Sequence, residues 1–121
     1  MAAVTAAAVD ATRPDIASLS RLAPTVIVNA SGPFQSQNRT LARAAVTVGA
    51  HYIDLADARD YVVDFAGDAD LDSAARARGV LVVAGASTVP AVSAAVIDDL
   101  LAVVGAPTEL HYGISPGNSF E

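Results

Sequence analysis

Cysteine, lysine and tryptophan are all missing from this sequence of 121 residues. Without cysteine, the chain has no disulfide, no thiolate metal ligand and no cysteine nucleophile. Because all seven basic residues are arginine, Schiff-base catalysis and a phosphate-loop lysine are excluded within the chain. A glycine-rich phosphate-binding loop is also missing. Any nucleotide-binding interpretation therefore has to rest on other segments.

Charge and hydropathy narrow the class of protein further. The formal net charge is −6, which disfavours DNA or RNA as a partner. No apolar run reaches the roughly 18 residues that a membrane span needs, and no segment resembles a secretion signal, so we expect a cytoplasmic protein without a membrane partner. Hydrophobic residues make up 53% of the chain, which suits one domain with a single core.

Predicted strands and helices alternate through the middle of the chain. Residues 57–65 fit a short helix or a turn, and residues 2–9 fit either a strand or a helix. We predict strands over residues 25–29, 51–55, 80–84 and 109–115, and helices over residues 14–22, 38–48, 69–78 and 90–104. This alternation is typical of an α/β fold with a mostly parallel sheet, helices that flank it and right-handed crossovers.

The apolar pattern and the helix starts give more specific expectations. The unbroken apolar run at residues 80–84 is typical of a strand that is buried on both faces. Thr12 fits the N-cap of the helix over residues 14–22. The helix over residues 90–104 is amphipathic, and its apolar face carries Val92, Val96, Leu100 and Val103.

The segment from Asn29 to Phe34 follows the first of these strands and consists of small residues, a glycine and a proline. In an open α/β sheet, ligands bind at the carboxyl ends of the strands. Small residues at that edge let a ligand approach the backbone, so one interpretation is a cofactor loop. The other is an ordinary strand-to-helix turn that uses glycine and proline, and the spacing alone favours the turn.

A second polar segment, residues 51–57, ends the next predicted strand. Alternation places Tyr52 and Asp54 on the same face of that strand. Asp54 lies near the carboxyl end, again at the edge where ligands bind. Isolated aspartates at strand ends are more often caps or turn formers than catalysts, and Asp57 fits the cap of the next helix.

The loop after the strand at residues 80–84 begins with Gly85. A glycine there permits close approach of a backbone or a cofactor. A nucleophile elbow needs a glycine two residues after its serine, but Val89 stands two residues after Ser87. Serine hydrolase chemistry is therefore poorly supported.

Seven aspartates in the middle of the chain form an acidic belt: Asp54, Asp57, Asp60, Asp64, Asp68, Asp70 and Asp72. The spacing of Asp68, Asp70 and Asp72 begins like a calcium loop. Ser73 and Gly79, however, stand where such a loop requires glycine and a bidentate glutamate. The pattern favours a solvated acidic face with helix caps, and we predict no metal ligand.

Taken together, three segments resemble the saccharopine dehydrogenase-like family of NAD(P)-binding proteins. They are residues 26–34 (VIVNASGPF), 49–57 (GAHYIDLAD) and 82–90 (VVAGASTVP), in the family's order and spacing. The resemblance implies a Rossmann-like domain that binds NAD or NADP, with hydride chemistry supplied by the cofactor. It also implies a small-molecule substrate.

The resemblance implies two sets of site residues. Those that would line the cofactor are Asp10, Asn29, Ala30, Ser31, Gly32, Pro33 and Gly85. Those that would lie at the active-site edge are Tyr52, Asp54 and Asp57. It assigns no proton-transfer role to any of them, because the substrate is not specified.

The sequence lacks the segment that opens a domain of this family, which is a strand, a G-x-G-x-x-G/A turn, a helix and a second strand. Residues 1–107 therefore resemble the C-terminal part of a dinucleotide-binding domain, and residues 108–121 resemble the start of a substrate and dimerisation domain. Residues 2–9 resemble the third strand. The resemblance implies a fragment of an NAD(P)-dependent oxidoreductase with weak or absent cofactor binding and no activity alone.

The missing unit has a structural consequence. In the strand order 3-2-1-4-5-6, removing strands 1 and 2 leaves the strand at residues 25–29 with an unpaired edge. Because an exposed apolar edge is a template for pairing, we expect either the segment containing Val4 or a second copy of the chain to pair there.

Two other functions stay open at this point. One is a non-catalytic short Rossmann-like protein that serves assembly or small-ligand binding. The other is a metal-dependent hydrolase that uses the acidic belt.

Overall fold

Three short parallel strands form an open sheet, accompanied by five α-helices, in the residues that the computed structural model describes, 4–111 and 113. The elements in chain order are α1 (Ile16–Leu22), β1 (Val26–Asn29), α2 (Thr40–Val48), β2 (His51–Asp54), α3 (Arg59–Ala66), α4 (Ala69–Arg78), β3 (Val82–Val83) and α5 (Ser93–Val104). A 3-10 turn at Phe34–Ser36 follows β1, and a π-helical turn at Thr88–Val92 leads into α5. The predicted α/β class with a parallel sheet is confirmed.

The strands lie in the order β1–β2–β3, which is also their order along the chain. The register pairs Asn29 with Asp54 and Tyr52 with Val82, so the carboxyl ends of β1 and β2 are level. The rule that parallel strands are joined by right-handed crossovers places α2, α3 and α4 on one face of the sheet, in agreement with the packing of α2 against both β2 and α4. This arrangement is compatible with part of a Rossmann-like fold.

Local signals explain where the central helices begin and end. Gly49 and Gly79 end α2 and α4 in the left-handed conformation, with φ of 79° and 66°, where the lack of a Cβ removes the steric cost. Asp68 caps α4 by accepting a hydrogen bond from the backbone N–H of Leu71. These three ends follow the sequence signals directly.

The N-cap of α1 is Asp15, so the prediction of Thr12 is wrong. The Asp15 carboxylate accepts hydrogen bonds from the backbone N–H groups of Ala17 and Ser18, the second and third residues of the helix. Thr12 instead donates its N–H and its hydroxyl to Asp10. Two aspartates therefore organise adjacent turns, and the nearer one caps the helix.

The core lies between one face of the sheet and the helices that cover it. On the central strand, the Tyr52 ring stacks on Phe65 of α3, with ring centroids 6.1 Å apart and planes at 7°. Ala42 and Ala45 of α2 are fully buried, because small side chains let this helix approach the sheet closely. The buried members of the core are Leu19, Leu41, Ala42, Ala44, Ala45, Val46, Ala50, Tyr52, Phe65, Leu71 and Ala75.

The opposite face of the sheet is open, which overturns the prediction of burial on both faces for residues 80–84. Only Val82 and Val83 form β3, and Leu81 is 68% exposed. Val28 of β1 is also exposed on this side. An apolar run allows burial on both faces, but burial also needs a covering layer. Among the described residues, the helices that pack on the sheet lie on its other face.

The two ends of the chain also differ from expectation. Residues 4–9 form neither strand nor helix, and Val4 is 99% exposed. Since no strand within residues 4–111 pairs with the outer edge of β1, the prediction that the Val4 segment fills that place is wrong. Residues 109–111 and 113 are irregular. The remainder of the predicted strand over 109–115, like most of residues 108–121, lies outside the described residues.

The last helix stands apart from the core. None of the residues of α5 is buried, and the apolar face predicted for it is exposed. Neither α5 nor any other helix in the described part of the chain has the length and apolarity to cross a membrane.

Candidate functional site

A buried polar cluster lies at the carboxyl edge of the sheet. Asn29 is the last residue of β1 and Asp54 the last residue of β2, and the parallel register places them opposite each other. Asn29 is 4% exposed and Asp54 is fully buried. Because buried polar groups need hydrogen-bond partners, these two side chains determine how the cluster is connected.

Asn29 organises the loop that follows its own strand. Its Oδ1 accepts hydrogen bonds from the backbone N–H and the hydroxyl of Ser31, at 3.1 and 2.6 Å. Its Nδ2 donates to Gln37 Oε1 at 3.0 Å and to the Tyr52 hydroxyl at 3.1 Å. The Gln37 side-chain amide in turn donates to the carbonyl oxygen of Ser31. All four hydrogen-bonding positions of Asn29 are therefore filled: three bonds hold residues 30–37 as a loop, and the fourth joins Asn29 to Tyr52 of β2.

Asp54 ties three elements together. Its Oδ1 accepts hydrogen bonds from the backbone N–H groups of Gly85 at 2.8 Å and Ala56 at 3.1 Å. Its Oδ2 accepts from the hydroxyls of Tyr52 at 3.3 Å and Tyr61 at 3.1 Å. The end of β2 is thus fixed to the loop after β3 and to α3.

The two tyrosines are protonated at neutral pH, as a phenol with its ordinary pKa of about 10 already is, and their environment favours the protonated form further. Burial raises the pKa of Tyr52 to about 12. Burial, followed by repulsion from Tyr52 and Asp54, also raises the pKa of Tyr61. The Tyr61 ring packs against Phe65 and Phe34, with centroids 5.6 and 6.1 Å away. Both hydroxyls therefore keep donating to the carboxylate at neutral pH.

The saturation of Asp54 limits what it can do chemically. A carboxylate has about four acceptor positions, and four donors already contact this one. Taking a proton from a ligand would require one of these bonds to break. Tyr52 and Asp54 lie beneath the loops, where the geometry gives them a positioning role. Their contact with a substrate stays a prediction.

The exposed rim of the site is formed by residues 30–33, whose Gly32–Pro33 peptide is cis. A Cβ added to Gly32 would meet only Phe34, at 3.8 Å or more, so the described residues leave open space beside this glycine. Gly85 differs, because its φ of 77° lies in the left-handed region. It is buried and donates its N–H to Asp54. Of the two glycines, Gly32 is the one that leaves room for another molecule.

Two members of the cluster, Gln37 and Tyr61, are not singled out by the sequence analysis. Tyr61 and Phe65 are spaced as neighbours on one helix face, which is the signal that could have placed Tyr61 on the core. Gln37 offers no such signal, because its role depends on how the loop closes.

Ser87 lies in the loop after β3, and its buried Oγ has no hydrogen-bond partner among the described residues.

Two predicted site residues, Asp10 and Asp57, take no part in this hydrogen-bond network. Asp10 is exposed ahead of α1, and the hydrogen bond from the Thr12 hydroxyl is the main reason that the pKa of Asp10 is lowered. Asp57 is exposed as well. The N-cap of α3 is Ala58, which makes no side-chain capping bond, so the prediction that Asp57 caps this helix is wrong.

The acidic belt is dispersed over ion pairs and helix ends. Among the described residues, no group of three His, Asp or Glu side chains is placed to hold a metal ion. Asp68 contacts both Arg39 and Arg43, at 2.9 and 2.6 Å. Asp72 pairs with Arg76 at 2.8 Å. For Asp68, which also caps α4, the predicted role as a helix cap is confirmed.

Comparison of the chain with protein-family models, with curated proteins and with solved structures gives no match in any of the three. The structure shows an α/β fold with an open three-stranded parallel sheet, which is compatible with part of a Rossmann-like fold. The family, the cofactor and the substrate remain proposals.

Proposed function

We propose that this chain is a fragment of an NAD(P)-dependent oxidoreductase that resembles saccharopine dehydrogenase, and that it carries the loops that face the cofactor. The observation that carries the proposal is the meeting of the loops after β1, β2 and β3 in one polar cluster at the carboxyl edge of a parallel sheet. Ligands of open α/β sheets bind at this edge. The three segments of resemblance point to the same class.

The residues of the site divide into those that would contact the cofactor and those that hold the contact surface in place. Asn29 holds the first loop through Ser31 and Gln37. Tyr52 and Asp54 fix that loop to the loop after β3. NAD or NADP supplies hydride transfer when bound, and the protein supplies its orientation. The proposed contact residues are Ala30, Ser31, Gly32 and Pro33, whereas the buried Gly85 holds the loop after β3 in place through its N–H bond to Asp54.

Asp57 and Asp10 have separate places in the proposal. Asp57 is exposed and follows Asp54 by three residues, and its carboxylate is assigned to the substrate side on the resemblance. Asp10 is assigned to the adenine side on the resemblance alone.

The chain on its own should bind the cofactor weakly. The pyrophosphate of a dinucleotide is normally held by a glycine-rich turn and a helix N-terminus, and these 121 residues contain no such turn. We therefore expect no turnover and an affinity no better than millimolar.

The binding surface can be tested by NMR with ¹⁵N-labelled chain and NAD or NADP at millimolar concentration. Backbone signals of Ala30, Ser31, Gly32 and Ala86 should shift on addition of the nucleotide. Signals of Arg76 and Arg78 on the far side of α4 serve as the internal control and should not move. Uniform small shifts, or none at these loops, would contradict the proposal.

Gly32→Ala is the variant that separates binding from folding. Because the added Cβ meets only Phe34 at 3.8 Å or more, the free energy of unfolding should change by less than about 0.5 kcal/mol. The nucleotide-induced shifts at Ala30 and Ser31 should nevertheless disappear, because the methyl group occupies the open space. Unchanged shifts in Gly32→Ala would place the ligand elsewhere.

The gene provides an independent test of the oxidoreductase proposal. An in-frame strand, G-x-G-x-x-G turn and helix encoded upstream of Met1 would supply the missing phosphate site. A stop codon directly before Met1 would instead favour a short protein that serves assembly or ligand binding.

A second candidate function is assembly, in which copies of the chain form a homo-oligomer through the unpaired edge of β1. The backbone geometry of that edge favours it. The backbone carbonyls of Thr25 and Asn29 accept hydrogen bonds from β2. Since successive residues of a strand direct their backbone groups to opposite sides, Val26 and Val28 direct theirs outward. A second copy could pair with these groups. Val26→Pro removes one outward donor without breaking the bonds to β2.

Light scattering on the wild type and on Val26→Pro decides this second candidate. Pairing through the edge predicts an oligomer for the wild type and a monomer for Val26→Pro. A wild type that is monomeric at every concentration, or an oligomer that survives Val26→Pro, would contradict it.

A further inference from the structure

Two apolar surfaces of this chain are exposed although neither belongs to the cluster at the carboxyl edge. The first, here called the open face, is the uncovered side of the sheet. It consists of the exposed Val26, Val28, Leu55, Leu81 and Val83 around the half-buried Ile53 and His51. The second, here called the α5 stripe, consists of Val92, Val96, Leu100, Val103 and Val104.

The register makes the open face continuous. Val28 pairs with Ile53, and Ile53 pairs with Val83, so these side chains form a row across all three strands on the same side of the sheet. A second row runs through Val26 and Leu81. Parallel sheets are almost always covered by helices on both faces. A row of two exposed valines and a half-buried isoleucine across a parallel sheet therefore indicates a surface that is covered in use.

The α5 stripe has the character of a helix that covers a sheet. At 100° per residue, Val96, Leu100 and Val103 fall on one side of α5 and Asp98 falls on the opposite side, while the exposed Asp99 lies at the edge of the stripe. The open face itself contains no carboxylate. Two copies can therefore bring the stripe and the open face together without placing carboxylates of the two surfaces against each other.

The geometry points to a second copy of this chain as the occupant, in a reciprocal dimer in which the α5 stripe of each chain covers the open face of the other. One chain carries both halves of the contact, so a twofold axis closes the assembly with two identical interfaces. Helices are what cover the faces of parallel sheets, which makes α5 a better cover for the open face than a second open face.

The area of the two surfaces supports the reciprocal arrangement. Ten of their side chains are between 40% and 84% exposed, and a fully exposed side chain of this size presents roughly 60–120 Å² to water. Since each of the ten has on average a little over half of that area exposed, one chain contributes roughly 300–700 Å² of side-chain surface. A stable dimer buries about 1,200 Å² or more in total. Both surfaces of both chains are needed to approach that area, and a single helix–sheet contact falls short.

Sedimentation velocity over a range of concentrations tests the dimer with matched variants. The wild type should sediment as a dimer at high concentration. Leu100→Glu on the stripe and Val83→Glu on the open face should each raise the dissociation constant by about tenfold or more, because each buries an unpaired charge in the contact. Ala102→Glu, on the side of α5 away from the stripe, is the control and should leave it unchanged.

Cysteine pairing identifies which surfaces meet, since the native chain has no cysteine to interfere. Two single variants, Val28→Cys and Leu100→Cys, are mixed and oxidised. A disulfide-linked heterodimer of the two is the expected product. Linkage of Val28→Cys only to itself, or an intramolecular bond in the double variant, would overturn the proposal. So would a wild type that stays monomeric at all concentrations.

This dimer is independent of the oxidoreductase proposal, and the experiments separate the two. Nucleotide-induced shifts in the loop at residues 30–33 report on the carboxyl edge, whereas Leu100→Glu changes the α5 stripe, which takes no part in the cluster at that edge. Leu100→Glu also separates covering of the open face from pairing through the edge of β1, because it changes the α5 stripe and leaves the backbone groups of β1 in place.

Discussion

The same three strands build two surfaces of opposite character. On the covered side, Asn29 and Asp54 are buried and have every hydrogen-bonding position filled. On the open face, their neighbours Val28 and Leu55 are exposed. Alternation of side chains along a strand produces both surfaces from adjacent residues. The comparison shows that hydrogen bonds and packing on one side of the sheet hold this fold together.

The largest effect is expected from Asp54→Ala, which removes the centre of the covered side. Two backbone N–H groups and the hydroxyls of Tyr52 and Tyr61 would lose their acceptor. Each buried donor left unpaired costs about 1–3 kcal/mol, so the free energy of unfolding should fall by about 4 kcal/mol or more. That loss is a large share of the roughly 5–15 kcal/mol typical of a domain. Urea unfolding followed by circular dichroism measures it.

Asp57→Ala is the control for this variant. Asp57 is exposed and lies only three residues away, so its removal should change the free energy of unfolding by less than about 0.5 kcal/mol. Equal losses for the two variants would show that the buried cluster does not carry the stability of this edge.

The next largest losses in the free energy of unfolding are expected from removing the hydroxyls of the two tyrosines, and the loss should be larger for Tyr52 than for Tyr61. Tyr52→Phe leaves an Asn29 donor without its acceptor and removes one of the two donors to Asp54 Oδ2, which should cost about 2 kcal/mol. Tyr61→Phe removes only one donor to Asp54 and should cost about 1 kcal/mol. Both rings remain, so the aromatic packing with Phe65 is unchanged. A larger loss for Tyr61→Phe in the same unfolding experiment would show that the Tyr61 hydroxyl contributes more to stability than the Tyr52 hydroxyl, contrary to this prediction.

Asp68→Asn tests the ion pairs that join α2 to α4. Asparagine can still accept the capping bond from Leu71, so the variant removes mainly the charge that faces Arg39 and Arg43. We expect a loss of about 1 kcal/mol at neutral pH. Asp70→Asn, an exposed carboxylate in the first turn of the same helix, controls for the helix dipole.

The loss in Asp68→Asn should depend on pH. The capping bond from Leu71, followed by the hydrogen bond from Arg39, holds the pKa of Asp68 below its ordinary value of 3.8. The folded pKa is therefore lower than the unfolded one, so this stabilisation is complete above about pH 4 and is lost as the pH falls through the folded value. Unfolding curves of the wild type and the variant should converge in acid. A gap that stays constant below pH 4 would contradict the ion-pair argument.

Most of the element order could be predicted from the sequence, because the signals are local. Gly49 and Gly79 mark helix ends, and the period of Leu41 and Ala45 marks a helix face. The place of Asn29 and Asp54 at one sheet edge followed from the strand ends. These features depend on a few neighbouring residues, which a sequence displays directly.

The features that could not be predicted depend on contacts between distant residues. Gln37 and Tyr61 join the cluster only because a loop closes and a helix docks. The run at residues 80–84 is apolar enough for burial on both sides, but whether a layer covers it is decided elsewhere in the chain. The sequence pattern states which surfaces can be buried, and the packing decides which of them are.

The smallest change in the free energy of unfolding is expected from a substitution on the α5 stripe. It gives the clearest contrast between an exposed apolar surface and the covered side of the sheet. Val103 is 84% exposed, so Val103→Ser removes almost no buried area and should change the free energy of unfolding of the monomer by less than about 0.5 kcal/mol. The same change in the core, Val46→Ser on α2, creates a cavity and buries a hydroxyl, which should cost about 3 kcal/mol. Both are measured by urea unfolding at a concentration low enough to keep the chains monomeric.

Repeating the Val103→Ser measurement at high concentration connects stability to assembly. Association stabilises the folded state by mass action, so the wild type should become more stable as the concentration rises, and Val103→Ser should gain less. If the two chains gain equally, the α5 stripe does not contribute to the contact, and the exposed valines of α5 are simply solvated. The one-sided fold would then be complete as a monomer, with its stability confined to the covered face.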